Sequence, residues 1–214
     1  MRRSAPMARP PVVVFADFGR RPGARRHAFR FVGQTLAMRG FVTVIPNLRG
    51  DARMPCTDST ADLALAAAWA KAHCGGYGGD SGRMFLMGHA GGAHCAAMLA
   101  LDPAGLGAVG MTPDDLRGAI GISGIYDAQP AGAPADHADP SAPPMLLIAG
   151  QRDHVNPGHT NRLARALRTV GGQVAEIHYP KLGDRLGLTR QLRYRATALD
   201  EVERFVRLYS LTRG

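Results

Sequence analysis

The sequence predicts an α/β protein: a three-layer sandwich with a mostly parallel sheet of about six strands and helices on both faces. Three observations predict it. Six short apolar runs alternate with stretches of helical periodicity. The runs "PVVVFA", "MFLMG" and "MLLIAG" are apolar without alternation, the pattern of strands covered on both faces. Between Arg83 and His94, "RMFLMGHAGGAH" passes from apolar run to glycine turn to helix start with no linker.

Each element has its own reason. Pro11–Ala16 is a buried strand. Phe29–Arg39 is helical and stops at Gly40, and Phe41–Pro46 is the next strand. Thr60–Ala72 is an alanine-rich helix with Leu63, Ala67 and Ala70 on one face. The glycines of Cys74–Gly82 predict a loop. Met84–Gly88 is a strand and Gly91–Leu101 a helix of small residues. Gly118–Ser123 and Met145–Gly150 are strands, separated by an Ala/Pro-rich stretch, Ala128–Pro144, read as an irregular surface loop. Pro157–Val170 is a helix with Leu163 and Leu167 inward, and Val174–Tyr179 is the last strand. A closing helix over Arg195–Tyr209 turns Leu199, Val202, Phe205 and Val206 inward. The 214 residues suit one domain, 1–214, with residues 1–10 as a flexible lead. Sites in such sheets lie beyond the carboxyl ends of the strands.

Composition bounds the function. No apolar run approaches the roughly 20 residues that cross a bilayer. The basic start lacks the apolar core of a secretory leader, so a cytoplasmic setting is expected. Cys56, Cys74 and Cys95 are odd in number and lack metal-ligand spacing, so neither a disulfide framework nor a metal site is expected. The net charge is +9, almost all of it arginine. No helix-turn-helix, zinc-finger or aromatic RNA-binding pattern accompanies that charge, which argues against nucleic acid as the partner.

Gly88-His89-Ala90-Gly91-Gly92 fits small-x-nucleophile-x-small, the turn that holds a nucleophile between a strand and a helix. Together with "AMRGFVTVIPNLRG", "LRGAIGISGIYD" and "PPMLLIAGQRDHVNP", the chain resembles the carboxylesterase and kynurenine formamidase (arylformamidase) branch of the α/β-hydrolase superfamily. The resemblance covers most of residues 11–209 and implies that fold, with a reduced lid where Ala128–Pro144 replaces a longer insertion. It implies a triad with its nucleophile at Ala90, its acid at Asp153 and its histidine at Asp184. It implies an oxyanion hole around Ala16, Asp17, Phe18 and Gly91. No cofactor is implied.

Three of these positions depart from the pattern. Alanine supplies no nucleophile. Aspartate at 184 cannot relay a proton as imidazole does, since its unperturbed pKa is about 4. Ala16-Asp17-Phe18 stands where the family carries "HGG", so both glycines are missing. One engineered Ser-to-Ala change would leave the rest of the site intact, which three departures do not. The expectation is a catalytically impaired homologue, a pseudo-esterase. The alternatives are an active esterase or amidase using another nucleophile, such as Ser123, or an engineered knockout. Cys95 is expected to pack inside its helix, and His89 and His94 to be packing residues.

Arginines crowd the loops that should complete the site. Arg20, Arg21, Arg25, Arg26 and Arg30 follow the first strand; Arg185, Arg190, Arg193 and Arg195 follow the last; Arg49, Arg53 and Arg152 follow others. Arginine's planar fork suits carboxylates and phosphates. The expected occupant is an anionic small molecule or an acidic protein, with Arg25, Arg26, Arg185 and Arg193 as candidate contacts. Equally, the arginines could be solvated surface offset by Asp17, Asp51 and Asp184. A homo- or heterodimer is compatible with the sequence, but no segment specifies it.

Overall fold

A computed structural model describes residues 8–17, 26–49, 57–127, 132–150, 157–180 and 197–211. Six strands form one sheet: β1 (Pro11–Ala16), β2 (Val42–Val44), β3 (Asp80–His89), β4 (Leu116–Ile122), β5 (Met145–Gly150) and β6 (Val174–Tyr179). Their order is β2-β1-β3-β4-β5-β6, and every pairing is parallel. The helices are α1 (Arg30–Met38), α2 (Thr57–His73), α3 (Gly91–Leu101), α4 (Pro103–Gly107), α5 (Pro157–Thr169) and α6 (Thr197–Ser210).

The strands are apolar throughout because both faces are covered. Val12, Val14 and Ala16 of β1 join Leu63 of α2, Ala93 of α3 and Leu163 of α5 in one core layer. Val13 and Phe15, pointing the other way, join Val32 and Leu36 of α1 and Leu199 and Val202 of α6. Period-2 alternation along one strand thus feeds two cores. The inward residues expected for α2, α5 and α6 are buried as expected. Gly40 ends α1 at φ 83°, in the left-handed region that glycine enters without a Cβ penalty.

Three local expectations need correction. β3 begins at Asp80, inside the stretch read as a loop, because the Asp80 N–H donates to the Pro10 carbonyl at 2.9 Å. That bond also ties down the end of the lead read as flexible; residues 1–7 lie outside the described residues. The Ala/Pro-rich stretch is not wholly surface: Ala133 and Pro134 are buried, and a short 3-10 turn spans Pro134–His137. α4 went unforeseen, although Asp102 accepts from the Ala104 N–H as an N-cap and Pro103 opens the helix.

The topology locates a site. From β1 the chain moves outward to β2, then returns to the other side of β1 as β3. Connections therefore leave in opposite directions at the β1–β3 boundary, beyond Ala16 and His89, which is where sheets of this kind place their sites.

Candidate active site

At that switch point the chain turns from β3 into α3 through one residue. Ala90 has φ 53° and ψ −118°, a conformation that non-glycine residues avoid. Its neighbours hold it there. The Ala90 N–H donates to the Ile122 carbonyl at 3.0 Å, and its carbonyl accepts from the Ile125 N–H at 3.3 Å. The flanking glycines allow the turn to close. A Cβ on Gly88 would lie 2.1 Å from the Gly92 carbonyl oxygen, and one on Gly92 would lie 2.1 Å from the Ala16 carbonyl oxygen. The glycine spacing seen in the sequence is therefore a steric requirement, and it locks β1, β3 and α3 into one unit.

Ala90 is almost fully buried, and α3 starts immediately after it at Gly91. The first amides of a helix lack intrahelical acceptors, so the turn sits at a partial positive charge. The elbow therefore keeps its shape, but its tip carries only a methyl group.

Of the other predicted site residues, Ala16 ends β1 and is fully buried, and Asp17 follows it. Phe18, Arg25, Asp153, Asp184, Arg185 and Arg193 lie outside the described residues. Arg26 is described in its backbone alone, at the start of a 3-10 turn that leads into α1. In the sequence the acid and histidine positions follow β5 and β6 respectively.

Two charged groups have described partners. Asp17 meets an imidazole: His89 Nδ1 lies 2.6 Å from Asp17 Oδ2, with side chains 8% and 6% exposed. Arg49 spends its fork on Asp62, through Nε and Nη2 at 2.8–3.1 Å, with Asp58 at 3.7 Å. Its guanidinium holds the Asp62 carboxyl below the usual range, against the opposing effect of burial. Arg49 is thus offset by carboxylates of α2.

His94 does pack. It is fully buried, its Nδ1 lies 3.0 Å from the Ile125 carbonyl, and burial pushes its pKa down. The unfolded chain therefore binds a proton that the folded chain refuses. The resulting stability is present above the ordinary histidine pKa, about 6.5, and is lost as pH falls below it. In urea titrations at pH 7.5 and pH 5, His94→Gln is expected to show a smaller pH difference in unfolding free energy than the parent. An equal difference in both would remove His94 from the acid sensitivity.

Ser123, the alternative nucleophile, ends the β4 run at φ 49° and is 2% exposed. Its Oγ has no hydrogen-bond partner among the described residues. A hydroxyl so enclosed, without a base, is poorly placed to attack a substrate. Next to it, Tyr126 fills the space over two glycines: a Cβ on Gly121 would lie 1.8 Å from its hydroxyl, and one on Gly124 would lie 2.2 Å from its ring. This packing accounts for the glycines of "GISGIYD". Cys74 and Cys95 are buried, and burial pushes the Cys74 thiol up. Among the described residues, no three His, Cys, Asp or Glu side chains cluster to hold a metal. No helix among them is long and apolar enough to cross a membrane.

Solved structures share the fold. A truncated carbohydrate esterase from gut microbiota superposes with a TM-score of 0.77, covering 95% of this chain and 86% of that one at 14% identity. The thermophilic esterase Est2 of Thermogutta terrifontis, with butyrate bound, gives 0.74 over 99% and 88% at 20% identity. The chain has the α/β-hydrolase fold. The BD-FAE family model matches residues 21–106 of this α/β-hydrolase-fold chain, a span that includes α1, β3, the elbow and α3. Esterase LipQ of Mycobacterium tuberculosis (strain ATCC 25618 / H37Rv) is 24% identical over 83% of the chain and 50% of its own length. The chain spans half or less of the length of the curated relatives it matches. These likenesses are carboxylesterase-like in kind.

Proposed function

We propose that the chain is a catalytically impaired carboxylesterase-like α/β-hydrolase homologue, a pseudo-esterase. In this reading it has lost the serine acyl-enzyme route and binds an anionic ligand, or an acidic protein surface, at the old active-site face. One observation carries the reading: Ala90 holds the strained elbow conformation with a methyl where attack requires a hydroxyl. The sequence adds aspartate at 184 and "ADF" at the oxyanion loop. Removing a triad member costs on the order of 10⁴–10⁶ in kcat. The esterases among the relatives point to acyl compounds as the ancestral substrates, and the segments around "GHAGGAH" and "GIYD" favour the arylformamidase branch. Support for the anion comes from the sequence of residues 18–25 and 181–196, which follow β1 and β6 and are rich in arginine.

A fluorophosphonate probe, which labels activated serines, tests the first half. No adduct is expected by intact mass, and stoichiometric labelling would sink the pseudo-esterase reading. Binding of a carboxylate series by calorimetry tests the second half. Arg25→Ala and Arg193→Ala are each expected to weaken any measured affinity several-fold, and unchanged affinities would locate the ligand elsewhere.

A further inference from the structure

We propose that the outer face of α2 is the contact surface of a weak two-fold dimer, in which two copies of this chain pack their α2 helices antiparallel around Leu65 and Trp69. The inference does not depend on whether Ala90 has ended hydrolysis.

The sequence of α2, "TDSTADLALAAAWAKAH", is apolar on more than one face. The inner face belongs to the fold: Leu63, Ala64, Ala67 and Ala70 are buried in the layer shared with β1 and α3. The outer face is apolar as well. Between Asp58 and His73 every exposed residue is uncharged: Ala61, Leu65, Trp69 and Ala72. A helix that is hydrophobic all round is ordinarily buried all round. Here Leu65 is 59% exposed and Trp69 46%, and Tyr77, one turn past the helix, is 68% exposed. Two other helices show the contrast. α5 turns Arg162, Arg165 and Arg168 outward, and α6 turns Asp200, Arg204 and Arg207 outward. α2 holds no arginine in a chain otherwise rich in it, and its one lysine, Lys71, is paired with Asp115 at 2.6 Å. The bare face therefore runs against the composition of the chain.

Its rings are set in advance. His73 Nδ1 donates to the Trp69 carbonyl at 2.8 Å, and the imidazole stacks on the indole, with centroids 4.8 Å apart and planes 15° apart. The Tyr77 ring lies 6.3 Å from the same indole. Rings already ordered lose little freedom on contact, and tryptophan and tyrosine are the anchors that dominate interface energies.

Charge selects the occupant. Each copy carries +9, so two copies repel unless they meet where charge is absent, as on this face. An anionic membrane or a nucleic acid would call for Lys and Arg beside the rings. The first turn instead presents Asp58, 67% exposed. An acidic protein would be drawn to the arginines that this face lacks. A second copy fits, because the face complements itself. Its first turn is acidic at Asp58 and its last turn basic at Lys71 and His73. A two-fold axis across antiparallel helices brings each end to its opposite and opposes the helix dipoles, whereas a parallel pair would set Asp58 against Asp58. The 17 residues of α2 make a strip about 25 Å long. That is small beside a standard interface, so the expected dissociation constant is on the order of tens of micromolar. Tyr77 lies before the start of β3 and the elbow follows its end, so pairing through α2 leaves the elbow end of the sheet open.

The test uses the full chain. Trp69 is its single tryptophan, so intrinsic emission reports on the proposed contact. Sedimentation equilibrium between about 5 and 500 µM is expected to show monomer passing to dimer, with emission moving to shorter wavelength over the same range. Leu65→Arg and Trp69→Ala should each weaken the dimer by about tenfold or more, and Asp58→Lys by several-fold. Leu208→Ala, at a leucine 54% exposed on α6, should leave it unchanged. A chain that stays monomeric throughout, or a dimer that Leu65→Arg leaves intact, overturns the proposal. If the variants fail to fold, the parent decides: emission that shifts with dimer formation supports the contact, and emission independent of concentration overturns it. A monomer whose emission shifts only when anionic phospholipid vesicles are added overturns it in favour of a membrane surface.

Discussion

Gly92→Ala is expected to destabilise the fold by more than about 3 kcal/mol, enough to threaten a domain of ordinary stability. The added methyl would lie 2.1 Å from the Ala16 carbonyl oxygen and 2.5 Å from its carbon. Both atoms are backbone at the end of β1, which pairs with β2 on one side and β3 on the other. No rotamer change relieves the clash, so strand and helix must separate. Val12, Val14 and Ala16 would then lose contact with α3, in the layer that also holds Leu63 and Leu163. Gly75→Ala is the control, because among the described residues a Cβ there meets only the Arg9 guanidinium, at 3.8 Å. Urea unfolding at pH 7.5 should separate the two variants clearly. If Gly92→Ala cost no more than Gly75→Ala, the close approach of α3 to β1 would be wrong, and with it the geometry assigned to the elbow.

That contrast shows which parts of the molecule were legible in the sequence. The elbow was, because its constraint is local: two glycines four residues apart, a strand before and a helix after. β5, β6 and α3 were, because buried runs such as "MLLIAG" and an unbroken small-residue helix have few alternatives. The start of β3 was not. Asp80, Gly82 and the glycines before them carry turn chemistry, and a tertiary bond to Pro10 overrides it. Ala133 and Pro134 were read as surface for the same reason, since composition suggested a loop and packing against the α3–α5 layer buried it. The Asp17–His89 pair was the least legible feature of the site. Asp17 follows one apolar strand and His89 ends another, but nothing local says that β1 and β3 are neighbours, or that Ala16 aligns with Gly88. The signal needed was register, and register is a property of the sheet.

If the proposed pseudo-esterase reading holds, Ala90→Ser and Asp184→His together are expected to raise 4-nitrophenyl acetate turnover by about 10³-fold or more over the parent, whereas each single change leaves it within about tenfold. The non-additivity is the substance of the prediction. Ala90→Ser adds a hydroxyl at a position whose backbone, φ 53° and ψ −118°, already suits a nucleophile. Without an imidazole at position 184, that hydroxyl stays protonated and inert. Asp184→His adds a base with nothing to activate. Only the double variant, with Asp153 at the acid position, rebuilds the relay. It should also acquire stoichiometric fluorophosphonate labelling, which the parent and Asp184→His lack. A double variant as inactive as its parent would move the decisive defect to the oxyanion loop. There, Asp17 holds an enclosed carboxylate against His89, where a hydrolase needs backbone donors for a developing negative charge. Adding Asp17→Gly to the double variant would then raise turnover further, because it removes that charge and returns the backbone freedom that "ADF" lacks. The order in which these three changes act separates two accounts of the proposed loss of hydrolysis: a missing nucleophile alone, or an oxyanion loop closed by the Asp17–His89 pair.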